Sequence, residues 1–156
     1  MLKILKTRLL LLLVLCSVSG ALHAASYIYK GNSTYSSDIL YTWDGKKLYK
    51  GRSTYTSDVV LTYDGKYVYK GNTTYSSAIL MTWDGKHVFR GNSTYISDVL
   101  YTWNGKTLHR GNSVYISDVL YTYDYKHVFR GNSTYISDVL YTVSGSIPVP
   151  VLFSIV

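Results

Sequence analysis

Hydrophobic and polar positions recur along most of this chain with a period of 20 residues. The units share the pattern G-N-S-T-Y-x-S-D-V-L-Y-T-W-D-G-K-x-V-Y-K. Four of its slots hold one residue type in all six copies, namely those of Gly31, Tyr35, Ser37 and Thr42. The glycines are Gly31, Gly51, Gly71, Gly91, Gly111 and Gly131, and the tyrosines are Tyr35, Tyr55, Tyr75, Tyr95, Tyr115 and Tyr135. A fixed period of this length is typical of repeat proteins, in which each unit is one supersecondary element. We therefore interpret residues 27–146 as six tandem 20-residue repeats.

Each unit contains two runs of strand-forming residues that flank a turn. In the first unit these runs are residues 39–43 and 46–50, and an Asp-Gly pair separates them. Asp-Gly between two such runs is typical of a two-residue β-hairpin turn with positive φ at both central residues. This register predicts that Trp43 lies opposite Lys46. In the fifth unit Tyr125 replaces the glycine, and we expect that turn to be the least regular because a bulky side chain is strained at positive φ.

The alternation within each hairpin places apolar side chains on both faces of the predicted sheet. Tyr41 and Leu48 share one face, whereas Leu40 and Tyr49 share the other. We therefore expect an all-β fold in which six tandem 20-residue β-hairpin repeats form an elongated sheet or a β-solenoid. The main alternative is a closed barrel of about twelve strands, although Lys50 would interrupt the apolar surface that an outer-membrane barrel needs.

Residues 147–156 depart from the repeat, since they include Pro148 and Pro150 and carry no charged side chain. Terminal units of a repeat protein must be capped. We therefore expect this segment to be an apolar C-terminal cap over the open end of the repeats. Contact with a membrane or a partner is the alternative, although the segment is too short for a membrane-spanning helix, which needs about 20 residues.

Residues 1–24 have the organisation of a secretory signal peptide. Three basic residues precede an apolar run at residues 9–18, and the predicted cut lies after Ala24 or Ala25. The apolar run is too short to span a bilayer. Cleavage removes Cys16, the only cysteine, and lowers the net charge from +7 to about +4. We expect an exported protein, either periplasmic, at the cell surface or secreted, with no disulfide bond and no membrane span in the mature chain.

The sequence contains no catalytic or metal-binding constellation. All 9 acidic residues are aspartates, and most occupy repeated slots, whereas a catalytic acid is needed once. We expect the slot of Asp38 to form an Asx-type turn or a hydrogen bond to neighbouring backbone. His87, His109 and His127 show no convergence of the three or four ligands that a metal site needs. The sequence therefore predicts a protein that is not an enzyme and that holds no cofactor or metal.

Aromatic residues and lysines flank the turns in a regular array, which is the candidate binding site. The slot before the turn holds Trp43, Trp83, Trp103, Tyr63 and Tyr123, and the slot after it holds Lys46, Lys66, Lys86, Lys106 and Lys126. One interpretation is a structural cation–π cover. The other is a line of aromatic platforms and cationic groups that stacks on sugars or binds a polyanion. The binding interpretation predicts that the three tryptophans are partly exposed along one line.

Two functions of different classes fit these features. The first is an exported, non-enzymatic protein of the cell envelope or extracellular space that acts by surface binding, with an envelope polysaccharide as the candidate ligand. The second is a self-assembling, fibre-forming structural protein, because near-identical strands with unpaired edges favour polymerisation. Nucleic acid is not an expected partner, since the small positive excess is spread evenly along an exported chain.

Two known families share partial features with the repeat. The 20-residue aromatic hairpin period resembles the aromatic repeats of choline-binding cell-wall modules, and the run from Tyr63 to Gly65 is similar to the tyrosine–aspartate repeats of large secreted shells. The Gly-Trp opening of the first family and the long spacing of the second are missing from this chain. Neither resemblance therefore assigns a role to an individual residue.

Overall fold

Twelve antiparallel strands close into a barrel in the computed structural model, which describes residues 24–156. The strands are β1 (Ser26–Lys30), β2 (Ile39–Trp43), β3 (Lys47–Lys50), β4 (Val59–Tyr63), β5 (Tyr67–Lys70), β6 (Ile79–Trp83), β7 (His87–Arg90), β8 (Val99–Trp103), β9 (Thr107–Arg110), β10 (Val119–Tyr123), β11 (His127–Arg130) and β12 (Val139–Ser144). Short 3-10 turns precede every second strand, at Ser36–Asp38, Thr56–Asp58, Ser76–Ala78, Ile96–Asp98, Ile116–Asp118 and Ile136–Asp138, and helix α1 (Val149–Leu152) follows β12. The predicted signal peptide, residues 1–24, lies outside the described residues apart from Ala24.

The all-β class and the tandem hairpins are confirmed, whereas the predicted elongated sheet or β-solenoid is wrong. In an open stack β1 and β12 would be the end strands, and the outer edge of each would have no partner. Instead these strands pair with each other, with Ile28 opposite Val143 and Lys30 opposite Tyr141. Closure satisfies the backbone N–H and C=O groups that both edges would otherwise expose. Strand β1 thus supplies the second half of the sixth hairpin.

The seam between β1 and β12 reproduces the contacts found in the other hairpins. Oγ1 of Thr142 donates a hydrogen bond to the carbonyl of Gly31 at 2.7 Å, as Thr42 does to Gly51 at the same distance. The N–H of Gly31 likewise donates to the carbonyl of Leu140 at 2.8 Å. The sixth hairpin therefore repeats the geometry of the others although its two strands lie far apart in the sequence.

A serine pair takes the place of the missing turn at the seam. Oγ of Ser26 donates to the carbonyl of Ser146 at 3.2 Å and accepts from the N–H of Ser146 at 3.1 Å. Gly145 lies directly against Ser26, because a Cβ added to Gly145 would be 2.9 Å from the Cβ of Ser26. Glycine at this position therefore permits both the close approach of the two strands and a φ of +87°.

Replacement of Gly145 by alanine is expected to destabilise the protein more than the same change at Gly105. Both glycines have positive φ, +87° and +97°, but a Cβ at Gly105 would meet nothing within 4 Å. The backbone strain common to both variants is about 1–2 kcal/mol, and the clash with Ser26 adds to it only at Gly145. Chemical denaturation of the two variants measures the difference. Equal losses of stability would contradict the close packing at the seam.

The register within each hairpin differs by two residues from the predicted one. Trp43 lies opposite Leu48, and Lys46 remains in the turn. Oδ1 of Asp44 accepts hydrogen bonds from the N–H groups of Lys46 and Lys47 at 2.8 and 2.6 Å, and this lengthens the turn. Gly45 takes a φ of +100°, whereas Asp44 does not adopt a positive φ. Because the shift is two residues, Tyr41, Trp43 and Leu48 stay on their predicted face. A β-bulge at Leu40 moves Ile39 to the opposite face, since Ile28 pairs with Tyr41 but Tyr29 pairs with Ile39.

The fifth turn keeps this geometry despite Tyr125. The φ of Tyr125 is +71°, in the left-handed region that favours glycine, so the predicted positive φ is confirmed. Oδ1 of Asp124 nevertheless accepts hydrogen bonds from the N–H groups of Lys126 and His127 at 2.9 and 2.5 Å, as in the other turns. This turn therefore differs from the others in having a non-glycine residue at positive φ, whereas its hydrogen bonds are the same.

The inner face of the barrel and the C-terminal segment form one hydrophobic core. The strands contribute buried side chains that include Ile28, Leu48, Leu61, Val68, Leu108, Val128 and Val143. Ile147, Val151, Leu152 and Phe153 belong to the same cluster, and the ring of Phe153 lies 5.6 Å from that of Trp103. The predicted cap over an open end is therefore wrong in its placement, because the segment is an apolar plug inside the barrel.

The plug runs from one end of the barrel to the other. We call the end that carries the turns at residues 44–46 and their equivalents the short-turn end, and the opposite end the long-loop end. Pro148 lines a pocket with Gly45 and Lys46 at the short-turn end. Ile155 lines a pocket with Lys50 at the long-loop end. The interior is therefore filled along its axis.

The loops and outward-facing side chains cover the outer face of the sheet. Thr42 and Tyr49 point outward and yet are only 2% and 7% exposed. The hydroxyl of Tyr49 donates to Oδ2 of Asp44 at 2.8 Å. In a later unit His109 occupies the slot of Tyr49, and its Nδ1 lies 3.1 Å from the carbonyl oxygen of Tyr115 in the following loop. Both faces are thus covered, as the sequence pattern predicts.

Candidate functional site

The aromatic slot before each turn lies on the inner face of the barrel. Trp43, Trp103 and Tyr123 are 4%, 8% and 3% exposed, whereas Trp83 and Tyr63 are half-buried. The expectation of a line of partly exposed tryptophans is therefore wrong for Trp43 and Trp103. The physical reason is closure of the barrel, which turns this face inward and packs it around the plug.

The five turn lysines, Lys46, Lys66, Lys86, Lys106 and Lys126, are exposed at the short-turn end. The register places Leu48 rather than Lys46 opposite Trp43, so the lysines do not face the aromatic slot. The cation–π contact found in residues 24–156 joins Nζ of Lys66 to the ring of Tyr67, the next residue, at 4.9 Å. The aromatic side chains of the predicted array thus lie on the inner face of the barrel, whereas its lysines lie on the surface.

Each turn carboxylate is fixed by hydrogen bonds from its own hairpin. Partial burial acts to raise the pKa of Asp44, but hydrogen bonds from the N–H groups of Lys47 and Lys46 and from the Tyr49 hydroxyl outweigh it and lower the pKa below its usual value. Burial, the hydrogen bond to Asp44 and its negative charge raise the pKa of Tyr49 to about 12. The hydrogen bond between the Tyr49 hydroxyl and the Asp44 carboxylate therefore joins β3 to the turn.

The stability of the barrel is expected to fall between about pH 10 and pH 12. The ordinary pKa of Tyr49 is 10.0, and folding raises it to about 12. The hydrogen bond to Asp64 is the first cause that raises the pKa of Tyr69 to about 12 as well. A group whose pKa is raised by folding stabilises the folded state below its unfolded-state pKa, and this contribution is lost as the pH rises through the folded-state value.

Thermal melting across this pH range checks the alkaline loss, and Tyr49→Phe is its control. Phenylalanine has no hydroxyl to ionise, so the variant should lose less stability than the parent between neutral pH and pH 12. A parent melting temperature that stays constant up to pH 12 would contradict the hydrogen bond between Tyr49 and Asp44.

The most exposed aromatic side chains lie in the long loops, outside the array that the sequence predicts as a site. Tyr35, Tyr55, Tyr75, Tyr95, Tyr115 and Tyr135 are each 74–77% exposed. We call them the tyrosine ring, because one comes from each of six loops spaced around the closed barrel. The available signal was an aromatic residue kept in all six copies of a segment otherwise rich in Gly, Asn, Ser and Thr.

Hydrogen bonds within each loop fix the backbone of its tyrosine. In the first loop, the N–H of Tyr35 donates to Oγ of Ser33 at 3.2 Å, and the Ser33 hydroxyl donates to Oδ2 of Asp38 at 2.5 Å. The N–H of Asp38 donates to the carbonyl of Tyr35 at 2.9 Å. The Asp38 carboxylate therefore accepts a local hydrogen bond, but its partner is a serine side chain and not the neighbouring backbone that the sequence predicts.

The histidines also have structural partners. Nδ1 of His87 lies 2.9 Å from Oδ2 of Asp84. His109 is 2% exposed, and its Nε2 lies 2.8 Å from Oγ1 of Thr107. Within residues 24–156, no three His, Cys or Asp side chains converge as metal ligands would. In the same part of the chain, no helix is long and apolar enough to cross a membrane.

Residues 28–152 match the sequence model of a protein family described as 6-fold beta flower protein. The match extends from β1 to the end of α1 and covers most of the chain, so the chain belongs to this family. The twelve strands, two for each of six hairpins, agree with the six-fold description. No curated protein and no solved structure matches the chain.

Proposed function

We propose that this member of the 6-fold beta flower family is an exported, non-enzymatic protein of the cell envelope or extracellular space that binds a polysaccharide through its tyrosine ring. The signal-peptide pattern of residues 1–24 supports export. The proposed surface differs from the array suggested by the sequence, because Trp43 and Trp103 lie in the core. The observation that carries the proposal is the 74–77% exposure of six equivalent tyrosines.

An exposed tyrosine on a fixed loop suits recognition of a sugar face. The ring offers an apolar platform and the hydroxyl offers a hydrogen bond. Tyrosine has two side-chain torsions, so its immobilisation on binding costs little entropy. In the first loop the exposed polar side chains of Asn32 and Thr34 precede Tyr35. They can hydrogen-bond to sugar hydroxyls. This combination of ring, amide and hydroxyl favours a glycan over a purely apolar partner.

Six equivalent platforms suit a polymer with a repeated unit. Successive loops are separated by two strands, which is about 10 Å along the sheet. A polymer that contacts one tyrosine presents its next units to the neighbouring loop at a high effective concentration, so avidity can exceed the affinity of one site by about 10²–10⁴. We therefore expect a polysaccharide to bind much more tightly than its monosaccharide.

Self-assembly into fibres is the alternative function. The sequence favoured it because open repeat stacks have unpaired strand edges. Closure of the barrel pairs β1 with β12 and argues against growth by strand addition within residues 26–144. Assembly would then need another surface, and Ile96, Ile116 and Ile136, which are 62–72% exposed beside three members of the tyrosine ring, are the candidates.

A glycan array probed with the protein that lacks residues 1–24 tests the proposal. Replacement of Tyr35, Tyr75 and Tyr115 by alanine is expected to weaken binding to a retained polysaccharide by at least about tenfold, because each stacked ring contributes about 1–3 kcal/mol. Phenylalanine at the same positions should retain most of the binding. Tyr125→Ala is the matched control, since Tyr125 is 67% exposed but lies at the short-turn end.

Equal binding by the parent and the triple alanine variant would contradict the proposal, as would equal affinity for a polymer and its monosaccharide. A failure to retain any glycan, together with fibres that bind an amyloid dye, would favour the alternative function. The three tyrosines are exposed, so the melting temperature of the triple variant should stay close to that of the parent. This measurement separates lost binding from lost folding.

A further inference from the structure

Six strands end in a basic residue at the long-loop end of the barrel. These residues, which we call the cation ring, are Lys30, Lys50, Lys70, Arg90, Arg110 and Arg130, and all are exposed. Each lies opposite a residue of the inner face, as Lys50 lies opposite Tyr41 and Arg110 lies opposite Tyr101. Cross-strand partners share one face of a sheet. The six cations therefore surround the mouth of the barrel.

The dimensions of the barrel bring these charges close together. Successive members of the cation ring are two strands apart, or about 10 Å along the wall, and twelve strand spacings give a backbone radius of at least about 9 Å. Lysine and arginine side chains are long enough to reach from this wall toward the axis. These charges start about 10 Å apart at the wall, which is about one Debye length at 0.1 M salt, and they come closer as the side chains reach inward, so they repel each other. An anion bound between them would relieve this repulsion.

The cation ring has no carboxylate partner within ion-pair distance. Among residues 24–156 the ion pairs join His87 to Asp84 and His127 to Asp124, both in turns of the short-turn end. The loop carboxylate of Asp38 accepts its hydrogen bond from a serine. The turn lysines differ, because most share a turn with an aspartate, as Lys46 does with Asp44. Within residues 24–156, inward-facing cations therefore form a ring at the long-loop end and not at the short-turn end.

The mouth also has a floor with hydroxyl groups. A pocket of about 410 Å³ at this end is lined by Leu40, Tyr41, Lys50, Val60, Tyr141 and Ile155. Ile155 belongs to the plug and closes the barrel beneath the pocket. Burial, followed by the neighbouring Tyr121 and Tyr41, raises the pKa of Tyr141, so its hydroxyl stays protonated and can donate a hydrogen bond.

We propose that this mouth binds one compact anion that carries several phosphate or sulfate groups. The cation ring surrounds the anion with charge-assisted donors, and the tyrosine hydroxyls contact it from below. Arg90, Arg110 and Arg130 are consecutive members of the ring, and guanidinium groups form paired hydrogen bonds with phosphate oxygens. The site is separate from the tyrosine ring, which lies on the loops, and it goes beyond the proposed polysaccharide binding.

Titration calorimetry of the protein that lacks residues 1–24 with inositol hexakisphosphate tests the site. We expect one probe molecule for each chain and an affinity that falls as the salt concentration rises. Replacement of Arg90, Arg110 and Arg130 by glutamine should weaken binding by at least about tenfold, because paired donors to phosphate are lost. Inositol hexasulfate, titrated in the same way, shows which of the two anionic groups the mouth prefers.

A matched control removes the same charge from the other end. Glutamine at Lys46, Lys66 and Lys86 should leave the affinity within about twofold of the parent, because these exposed cations lie far from the mouth and are screened. Equal weakening by the two triple variants would show attraction by net charge alone and would overturn the site. Several probes for each chain, or no measurable binding of either probe, would also overturn it. Neither result bears on glycan binding by the tyrosine ring.

Discussion

Replacing Trp43 by alanine is expected to lower the free energy of unfolding by about 3–5 kcal/mol. Trp43 is 4% exposed and belongs to the cluster that contains the plug. Loss of the indole leaves a cavity that the barrel cannot close, because twelve mutually paired strands fix its circumference. Trp103, whose ring lies 5.6 Å from that of Phe153, should behave in the same way. A typical domain is stable by about 5–15 kcal/mol, so alanine at Trp43, Trp83 and Trp103 together should unfold the protein.

Urea denaturation followed by far-ultraviolet circular dichroism measures these losses. Tyr55→Ala is the control, since Tyr55 is 75% exposed and its removal should change stability by no more than about 0.5 kcal/mol. A Trp43→Ala variant as stable as the Tyr55→Ala variant would show that the indole is not a core group. It would also restore the sequence-based expectation of exposed tryptophan platforms.

Removal of residues 147–156 is expected to abolish cooperative folding. The deletion withdraws Ile147, Val151, Leu152 and Phe153 from the core. Each buried side chain of this size contributes about 1.5–3 kcal/mol, so the total approaches the whole stability of a typical domain. The inner faces of Trp103 and Tyr121, which contact Phe153, would then be left against water.

A smaller change checks the same contact without removing the segment. Leu152→Ala should cost about 2–5 kcal/mol, because Leu152 is fully buried. Ser154→Ala is the comparison, since Ser154 is half-buried and its hydroxyl donates a hydrogen bond to the carbonyl of Val151 within the plug. A shortened protein that melts cooperatively at the parent temperature would contradict the plug.

The local structure could be predicted because the same pattern of apolar and turn residues recurs in six units. Alternation of apolar residues placed Tyr41 and Leu48 on one face, and the Asp-Gly pairs located the turns. The register was wrong by two residues because the Asp44 side chain binds two backbone N–H groups, and a turn rule based on φ alone does not include this contact. Tyr41 and Leu48 kept their predicted face despite the error because side chains alternate with a period of two. The alternation did not indicate the β-bulge at Leu40, which moves Ile39 to the other face.

Closure and the plug could not be predicted from the repeat. Each hairpin would have the same sequence signals in an open stack and in a closed barrel. The two folds differ in the total curvature of the sheet, to which all six hairpins contribute. The pairing of Ile28 with Val143 joins strands at opposite ends of the repeats, so no local pattern records it. The plug, residues 147–156, has no counterpart in the units, and its place inside the barrel depends on a lumen that exists only after closure.

The candidate site was misplaced for the same reason. Ring type and lysine spacing pointed to Trp43 and Lys46, but the inward or outward direction of that face depends on closure. Tyr35 stood in a segment whose polar composition indicated a turn, and its exposure follows from how the loop projects from the barrel wall. Lys50 and its equivalents were treated as single strand residues, and they form a ring only when twelve strands close.

A disulfide across the seam tests the closed barrel most directly. Tyr27 and Ser144 are partners in the register of β1 and β12, and the chain's only cysteine, Cys16, lies in the predicted signal peptide. With cysteine at both positions, oxidation of the dilute protein that lacks residues 1–24 should give an intramolecular disulfide, because paired residues have Cα atoms about 4.5–5.5 Å apart. Cysteine at Tyr27 and Asn104, which occupies the slot of Ser144 two hairpins earlier, should give none. Absence of the first disulfide, or equal yields from the two pairs, would contradict the closed barrel.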